Sequence, residues 1–140
     1  MKGLKLFLDR LPWNKPLTNY NIIGIMSRYS PPSLKEAFRG VFSRDEIPAE
    51  DPQRLRECAV VNLSSLEQPG THWVAYYKFQ QEQRVYYYDS FGNLSPPPEL
   101  FFAFCNTYNI FYNRGRNQNF DSVICGQLCL RFLYIMNLRK

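Results

Sequence analysis

A thiol becomes a nucleophile when a base takes its proton, and at neutral pH the natural base is imidazole. This chain of 140 residues has one histidine, His72, and four cysteines. Among the cysteines, Cys125 is followed at once by Gly126, stands where an apolar helical pattern begins, and has Gln118 upstream in a polar loop. At a helix start, backbone amides and the positive end of the macrodipole favour a thiolate. The chemistry these residue types allow is acyl transfer. Cys125 would attack a carbonyl and His72 would carry the proton. The Cys125 backbone N–H and the Gln118 side-chain amide would hold the oxyanion. Gly126 would remove side-chain bulk beside the sulfur and let a substrate backbone approach.

His72 needs an orienting partner. "THWVAYYKF" and "RVYYYDSF" are two strand-like runs separated by "QQEQ", which reads as an antiparallel hairpin. A two-residue turn at Gln80–Gln81 would set Asp89 directly opposite His72, with Cβ atoms about 4.5–5.5 Å apart. A carboxylate there fixes the imidazole tautomer and stabilises the imidazolium. A longer turn would shift the register. Taken singly, each residue also has an ordinary reading: a cysteine on an apolar helical stripe is usually core, and an aspartate before Ser-Phe-Gly is usually turn chemistry. Cys129, one turn after Cys125, points into the core on either reading.

Other elements must bring these residues together. From Ser122 onward, Val123, Cys125, Leu128, Cys129, Phe132, Leu133 and Met136 recur at helical spacing, with Ser122 as the cap and Asp121 just ahead of it. "CAVVNL", 58–63, reads as a buried strand. Thr18 or Asn19 caps a short helix through Met26, and another helical turn spans Leu34 to Phe38. Residues 1–17, broken by Pro12 and Pro16, read as irregular, and 41–57 as loop. "LFFAFCNTYNIFYN" reads as helix around 100–108, then strand at 110–113, and 114–121 reads as loop.

Length and a hydrophobic content of 45% suit one domain, residues 1–140, with a core built largely from aromatic rings. The net charge of +5 comes without a dense basic block, so it permits weak contact with DNA but does not require it. No metal or cofactor is expected: the four cysteines form no CxxC pair. The N-terminus lacks the apolar core of a signal peptide and no run is long enough to span a membrane. The expectation is therefore an intracellular protein with reduced thiols and no membrane partner.

At this point the motifs carry a resemblance. "GTHWVAYY", "VYYYDSFG" and "QNFDSVICGQLC" together resemble the adenain family of cysteine proteases, the adenovirus-type maturation enzymes, which are related to the SUMO-specific Ulp-type proteases. The order His, Asp or Glu, Gln, Cys is the family's, as are the His-Trp pair and the Cys-Gly at a helix start. "CAVVNLSSLEQPGTHW" resembles the strand leading into the family's histidine, and "RGVFSRDEIP" its upstream loop. Proteases of Polinton/Maverick elements and adintovirus-like genomes are similar in the "THWVAYY" and "DSFGN" blocks.

The resemblance implies an α+β fold, papain-like in the broad sense, with a central sheet packed against the catalytic helix. It implies His72 as base, Asp89 as its orienter, Cys125 as nucleophile and Gln118 as oxyanion donor. Trp73 would line a narrow cleft, with Gly126 at its floor. The implied task is cleavage of protein substrates after Gly-rich sites, in processing of viral capsid or other virion precursors. The implied place is the host nucleus or cytoplasm, or the virion. A deconjugating protease for a ubiquitin-like protein ending in Gly-Gly is an alternative, and so is a domesticated, non-catalytic binding module of the same fold. The chain departs from adenain in carrying Asp89 in place of a glutamate, and from Ulp-type enzymes in carrying Ile124 directly before the cysteine. Adenain is also activated by a disulfide-held peptide and by DNA. Cys105 lies only in the neighbourhood of the cysteine such a peptide would need.

Overall fold

The computed structural model describes residues 2–47, 54–63, 72–118 and 122–139. In chain order the elements are α1 (Lys2–Asp9), α2 (Asn19–Tyr29), α3 (Pro32–Ala37), β1 (Phe38–Ser43), β2 (Arg56–Asn62), β3 (Trp73–Phe79), β4 (Arg84–Tyr88), α4 (Pro98–Phe104), β5 (Asn109–Tyr112) and α5 (Cys125–Asn137), with a 3₁₀ turn at Arg44–Glu46. The five strands form one mixed sheet in the order β1-β2-β3-β4-β5. β2, β3 and β4 are antiparallel neighbours, and the outer strands β1 and β5 pair parallel to β2 and β4.

Both faces of the sheet are covered, and the period of two along each strand divides the core. Cys58, Val60, Trp73, Ala75, Tyr77, Phe79 and Tyr88 meet the residues of α1, α2, α3 and α5 on one face. Ala59, Val61, Val74, Tyr76, Val85 and Tyr87 meet Leu100 and Phe104 of α4, and Tyr108, on the other. Every residue of β3 is buried, as a central strand packed on both faces must be. This is the expected α+β architecture, a central sheet with the Cys125 helix against it.

Three expectations are corrected. Residues 1–17 are not irregular throughout: Lys2–Asp9 is helical and buries Phe7 against the Tyr134 ring of α5, with centroids 5.0 Å apart. Its apolar residues Leu4, Phe7, Leu8 and Leu11 follow helical spacing ahead of the Pro12 break. The stretch from Val41 is not all loop, because β1 runs to Ser43 and pairs with β2 through Phe42↔Val61 and Ser43↔Asn62. The hairpin turn is four residues long, 80–83, with Gln83 at φ 52 and its N–H bonded to Gln80 O. The register is therefore Ala75↔Tyr88 and Phe79↔Arg84, two positions from the expected pairing. An even shift keeps every side chain on its face.

Two further expectations match the structure. Thr18 caps α2, accepting from Asn21 N while the Asn21 side chain accepts from Thr18 N. The helix-then-strand reading of 100–113 appears as α4 and β5. No disulfide joins the four cysteines, all of which are described. Among the described residues no helix is long and apolar enough to cross a membrane, and no three His, Cys, Asp or Glu side chains are grouped to hold a metal ion.

Candidate active site

His72 and Asp89 lie just beyond the paired ends of β3 and β4, and their side chains meet there. His72 Nε2 is 2.9 Å from Asp89 Oδ1. Direct opposition in the ladder, the expected geometry, is not how they meet. The register shift makes them diagonal neighbours, and the contact is made by a turn that follows β4 at once. Gly92 N donates to Asp89 O at 2.9 Å and closes Asp89-Ser90-Phe91-Gly92. Within it Phe91 N donates to Asp89 Oδ1 at 3.0 Å, and the Phe91 ring stacks on the His72 ring at 4.6 Å with planes 15° apart. Gly92 has φ +80, and a Cβ there would lie 2.6 Å from Gly115 O, so the turn needs glycine twice over.

Asp89 is 1% exposed, and its Oδ2 has no hydrogen-bond partner among the described residues. A buried carboxylate so placed interacts with His72 in a medium of low dielectric. Asn113, just past β5, grips its backbone from both sides: Asp89 N donates to Asn113 Oδ1 at 2.9 Å, and Asn113 Nδ2 donates to Asp89 O at 2.7 Å. Asn113 carries no local sequence signal for this role. Only the parallel β4–β5 pairing brings it there.

Cys125 is the first residue of α5 and is 4% exposed. Ser122 is not the cap. The cap position is Ile124, without a side-chain cap bond, and Leu128 N donates to Ile124 O at 3.0 Å. Ser122 Oγ instead accepts the Ile124 N–H at 3.5 Å. Asp121 lies outside the described residues. The Cys125 sulfur accepts the Trp73 backbone N–H at 3.4 Å and is hydrogen-bonded to His72.

The electrostatics follow from these contacts. Burial pushes the Cys125 thiol up, but the hydrogen bond from His72, the Trp73 N–H, the His72 charge and the Gly126 N–H outweigh it and hold the thiol below its usual range. Burial lowers the His72 pKa, but hydrogen bonds and charges from Asp89 and Cys125 raise it to about 9. Each shift favours the charged form of its group, the thiolate of Cys125 and the imidazolium of His72. Cys129 is its opposite: fully buried, with the thiol pushed well up by burial.

Gln118 is 4% exposed. Its Oε1 accepts from Ser90 Oγ, and its Nε2 donates to Ser122 O at 2.8 Å, in the chain leading into Cys125. The Trp73 indole does not roof an open cleft. It is 7% exposed, and its Nε1 donates to Leu17 O at 2.9 Å. Nor is the space beside Gly126 open on that side, because an added Cβ would come within 3.2 Å of both Leu17 Cβ and Trp73 Cδ1. The glycine lets these two side chains pack against the first turn of α5. Sequence reasoning missed Ser90, Phe91, Asn113 and Leu17. The first two were adjacent to a singled-out aspartate, and that adjacency was the available signal.

Concavity alone points elsewhere. A cavity of about 750 Å³ opens at the other end of the sheet, lined by residues that include Arg54, Arg56, Phe79 and Asn137 and none of the four acyl-transfer candidates.

No family model and no curated protein matches the sequence. Among solved structures the chain is similar to the ASFV pS273R protease. One crystal structure of it gives a TM-score of 0.59 at 16% identity, over 88% of this chain and 58% of that one. Its Se-Met form gives 0.62 at 16%, over 93% and 62%. The SUMO protease Ulp1, with its catalytic cysteine oxidized to a sulfinic acid, gives 0.49 at 11%, over 95% and 70%. The chain thus spans 58–62% of the length of the pS273R structures it matches. What it shares with them is the fold, that of a cysteine protease.

Proposed function

We propose that this chain is a cysteine endopeptidase in which Cys125 is the nucleophile, His72 the proton carrier, Asp89 its orienter, and Gln118 with the Cys125 N–H the oxyanion donors. The observation that carries the reading is the continuous series from Asp89 Oδ1 to His72 Nε2 at 2.9 Å and on through the imidazole to the Cys125 sulfur. In this mechanism the thiolate attacks the peptide carbonyl, and the carbonyl electrons move to oxygen. The imidazolium gives its proton to the leaving amine as the C–N bond breaks. Water, deprotonated by the neutral imidazole, then hydrolyses the thioester and restores the ion pair.

The finer reading is cleavage after Gly-rich sites in capsid or other virion precursors, by an adenain-type enzyme of Polinton or adintovirus kind acting inside a host cell as one domain over residues 1–140. Its support is the sequence resemblance, together with the closed flank that Trp73 and Leu17 make beside Gly126. A channel walled on that side favours a residue without a Cβ next to the scissile bond. The fold shared with the ASFV pS273R protease agrees with a viral setting.

The test is digestion of a peptide library read by mass spectrometry, with capture of Cys125 by an electrophilic peptide ending in Gly-Gly. The wild type should cleave after glycine and be captured at Cys125, and Cys125→Ala should do neither. Cleavage that persists in Cys125→Ala overturns the protease assignment. Efficient wild-type cleavage after Lys, Arg or Phe overturns the glycine channel alone.

A further inference from the structure

Gln118 can serve an oxyanion only if its amide is held the right way round, and the two ends of an amide are nearly the same shape. Ser122 O is a carbonyl and can only accept, so the Gln118 end facing it at 2.8 Å is the NH₂. Oε1 then faces the hydroxyl of Ser90, which donates to it. Ser90 is 0% exposed and Gln118 is 4% exposed, so bulk water has little access to replace that donor. Ser90 also fixes the neighbouring chain, because its backbone O accepts the Asn117 N–H at 2.7 Å. It follows Asp89 directly, in the turn closed by Gly92 N on Asp89 O.

We propose that Ser90 is a positioning residue for the oxyanion donor. Its hydroxyl clamps Gln118 Oε1, so that Nε2 keeps one N–H on Ser122 O and presents its second to the substrate oxyanion. The inference rests on the protease reading above and adds to it a residue that touches no substrate. One four-residue turn then sets both halves of the chemistry: Asp89 orients the proton carrier, and Ser90 orients the group that receives the negative charge.

Ser90→Ala should lower kcat about 10–100-fold with little change in KM, as expected when a group acting on the transition state is misplaced. Ser90→Thr, which keeps the hydroxyl, should recover most of the loss. In a Gln118→Ala background Ser90→Ala should cost nothing further, because its effect passes through Gln118. Alkylation of Cys125 by iodoacetamide, read at its own peptide by mass spectrometry, uses no oxyanion donor and should proceed in Ser90→Ala at the wild-type rate. Additive losses in the double variant, or a raised KM with kcat kept, overturn the proposal.

A second measurement needs neither turnover nor a variant. In the wild type the Gln118 side-chain amide protons should exchange with solvent far more slowly than those of an exposed glutamine, read by NMR. Exchange as fast as that of an exposed glutamine overturns the clamp. Failure of the protease reading would look different: cleavage would persist in Cys125→Ala while the amide stayed held.

Discussion

At His72 burial and pairing oppose each other, and pairing wins. The imidazole is half-buried against Phe91, which alone would lower its pKa, yet Asp89 and Cys125 raise it to about 9. The sign for activity follows. Below its own depressed pKa Cys125 is a thiol and attack fails, and above about 9 His72 loses the proton that the leaving amine needs. kcat/KM should therefore rise as Cys125 ionises and fall along an alkaline limb near 9. Asp89→Asn removes the carboxylate, so the lowering effect of burial regains ground and the alkaline limb should move to lower pH, with kcat reduced. A pH–rate profile of the variant with an unmoved limb would show that another group orients the ring. Gln118→Ala tests the other end of the site. Loss of an oxyanion donor should lower kcat by about 10²–10³-fold and leave KM near its wild-type value, read from steady-state kinetics. A raised KM alone would make Gln118 a binding residue. Cys125→Ala should abolish turnover and cost only about 1–2 kcal/mol of stability, since little volume is removed. Cys129→Ala should leave much more of the activity, because Cys129 faces the core.

The elements decide how closely such residues can be read from sequence. The strands around His72 were legible because Val, Tyr and Phe recur densely between turn residues, and α5 because its apolar residues repeat at helical spacing. Their ends were not. The turn "QQEQ" has no glycine or asparagine to specify its length, so Gln83 at φ 52 and the four-residue loop could not be foreseen. The shift is even, so His72 and Asp89 stay on the same side and still meet. The start of α5 was misplaced because Ser122 looks like a cap, whereas its hydroxyl meets Ile124 N and its carbonyl serves Gln118. β1 was hidden because its partner β2 lies beyond a polar, proline-broken segment. The Asp89–Gly92 turn is where a backbone change should be felt most. Gly92→Ala places a Cβ 2.6 Å from Gly115 O at a φ of +80, and backbone strain of this kind costs about 1–3 kcal/mol. Urea unfolding should show that loss, and kcat should fall with it as Asp89 and Ser90 are displaced together. An unchanged urea midpoint would mean that the 115–116 backbone simply moves aside.

Over the whole molecule, α5 is held between the sheet and the N-terminal segment, and the second of these supports is the less obvious. Gln127 is fully buried, two residues after Cys125, and its Nε2 donates to both Pro12 O and Lys15 O, the latter at 2.7 Å. Leu17, four percent exposed, follows in the same segment, accepts the Trp73 indole N–H at 2.9 Å and packs where Gly126 leaves room. The segment between α1 and α2 is thus a strap across the start of α5, anchored at one end by Phe7 on Tyr134 and at the other by Trp73 on Leu17. Pro12 and Pro16 suit it, because a chain that gives its carbonyls to a side chain has no use for their missing N–H groups. Gln127→Ala would strip the Pro12 and Lys15 carbonyls of their shared donor at once. Each such bond contributes about 0.5–1.5 kcal/mol, so the strap should loosen before the sheet does. Two measurements read this directly. The urea midpoint should fall, and limited trypsin digestion should open a cut after Arg10, whose following residue Leu11 is buried in the wild type. Lys15 should stay intact in either case because proline follows it. Activity should decline in parallel, since Leu17 would no longer pack against Gly126 at the start of α5. If Gln127→Ala keeps the wild-type midpoint and remains uncut after Arg10, the N-terminal segment is held by its apolar contacts alone and the strap plays no part in supporting the site.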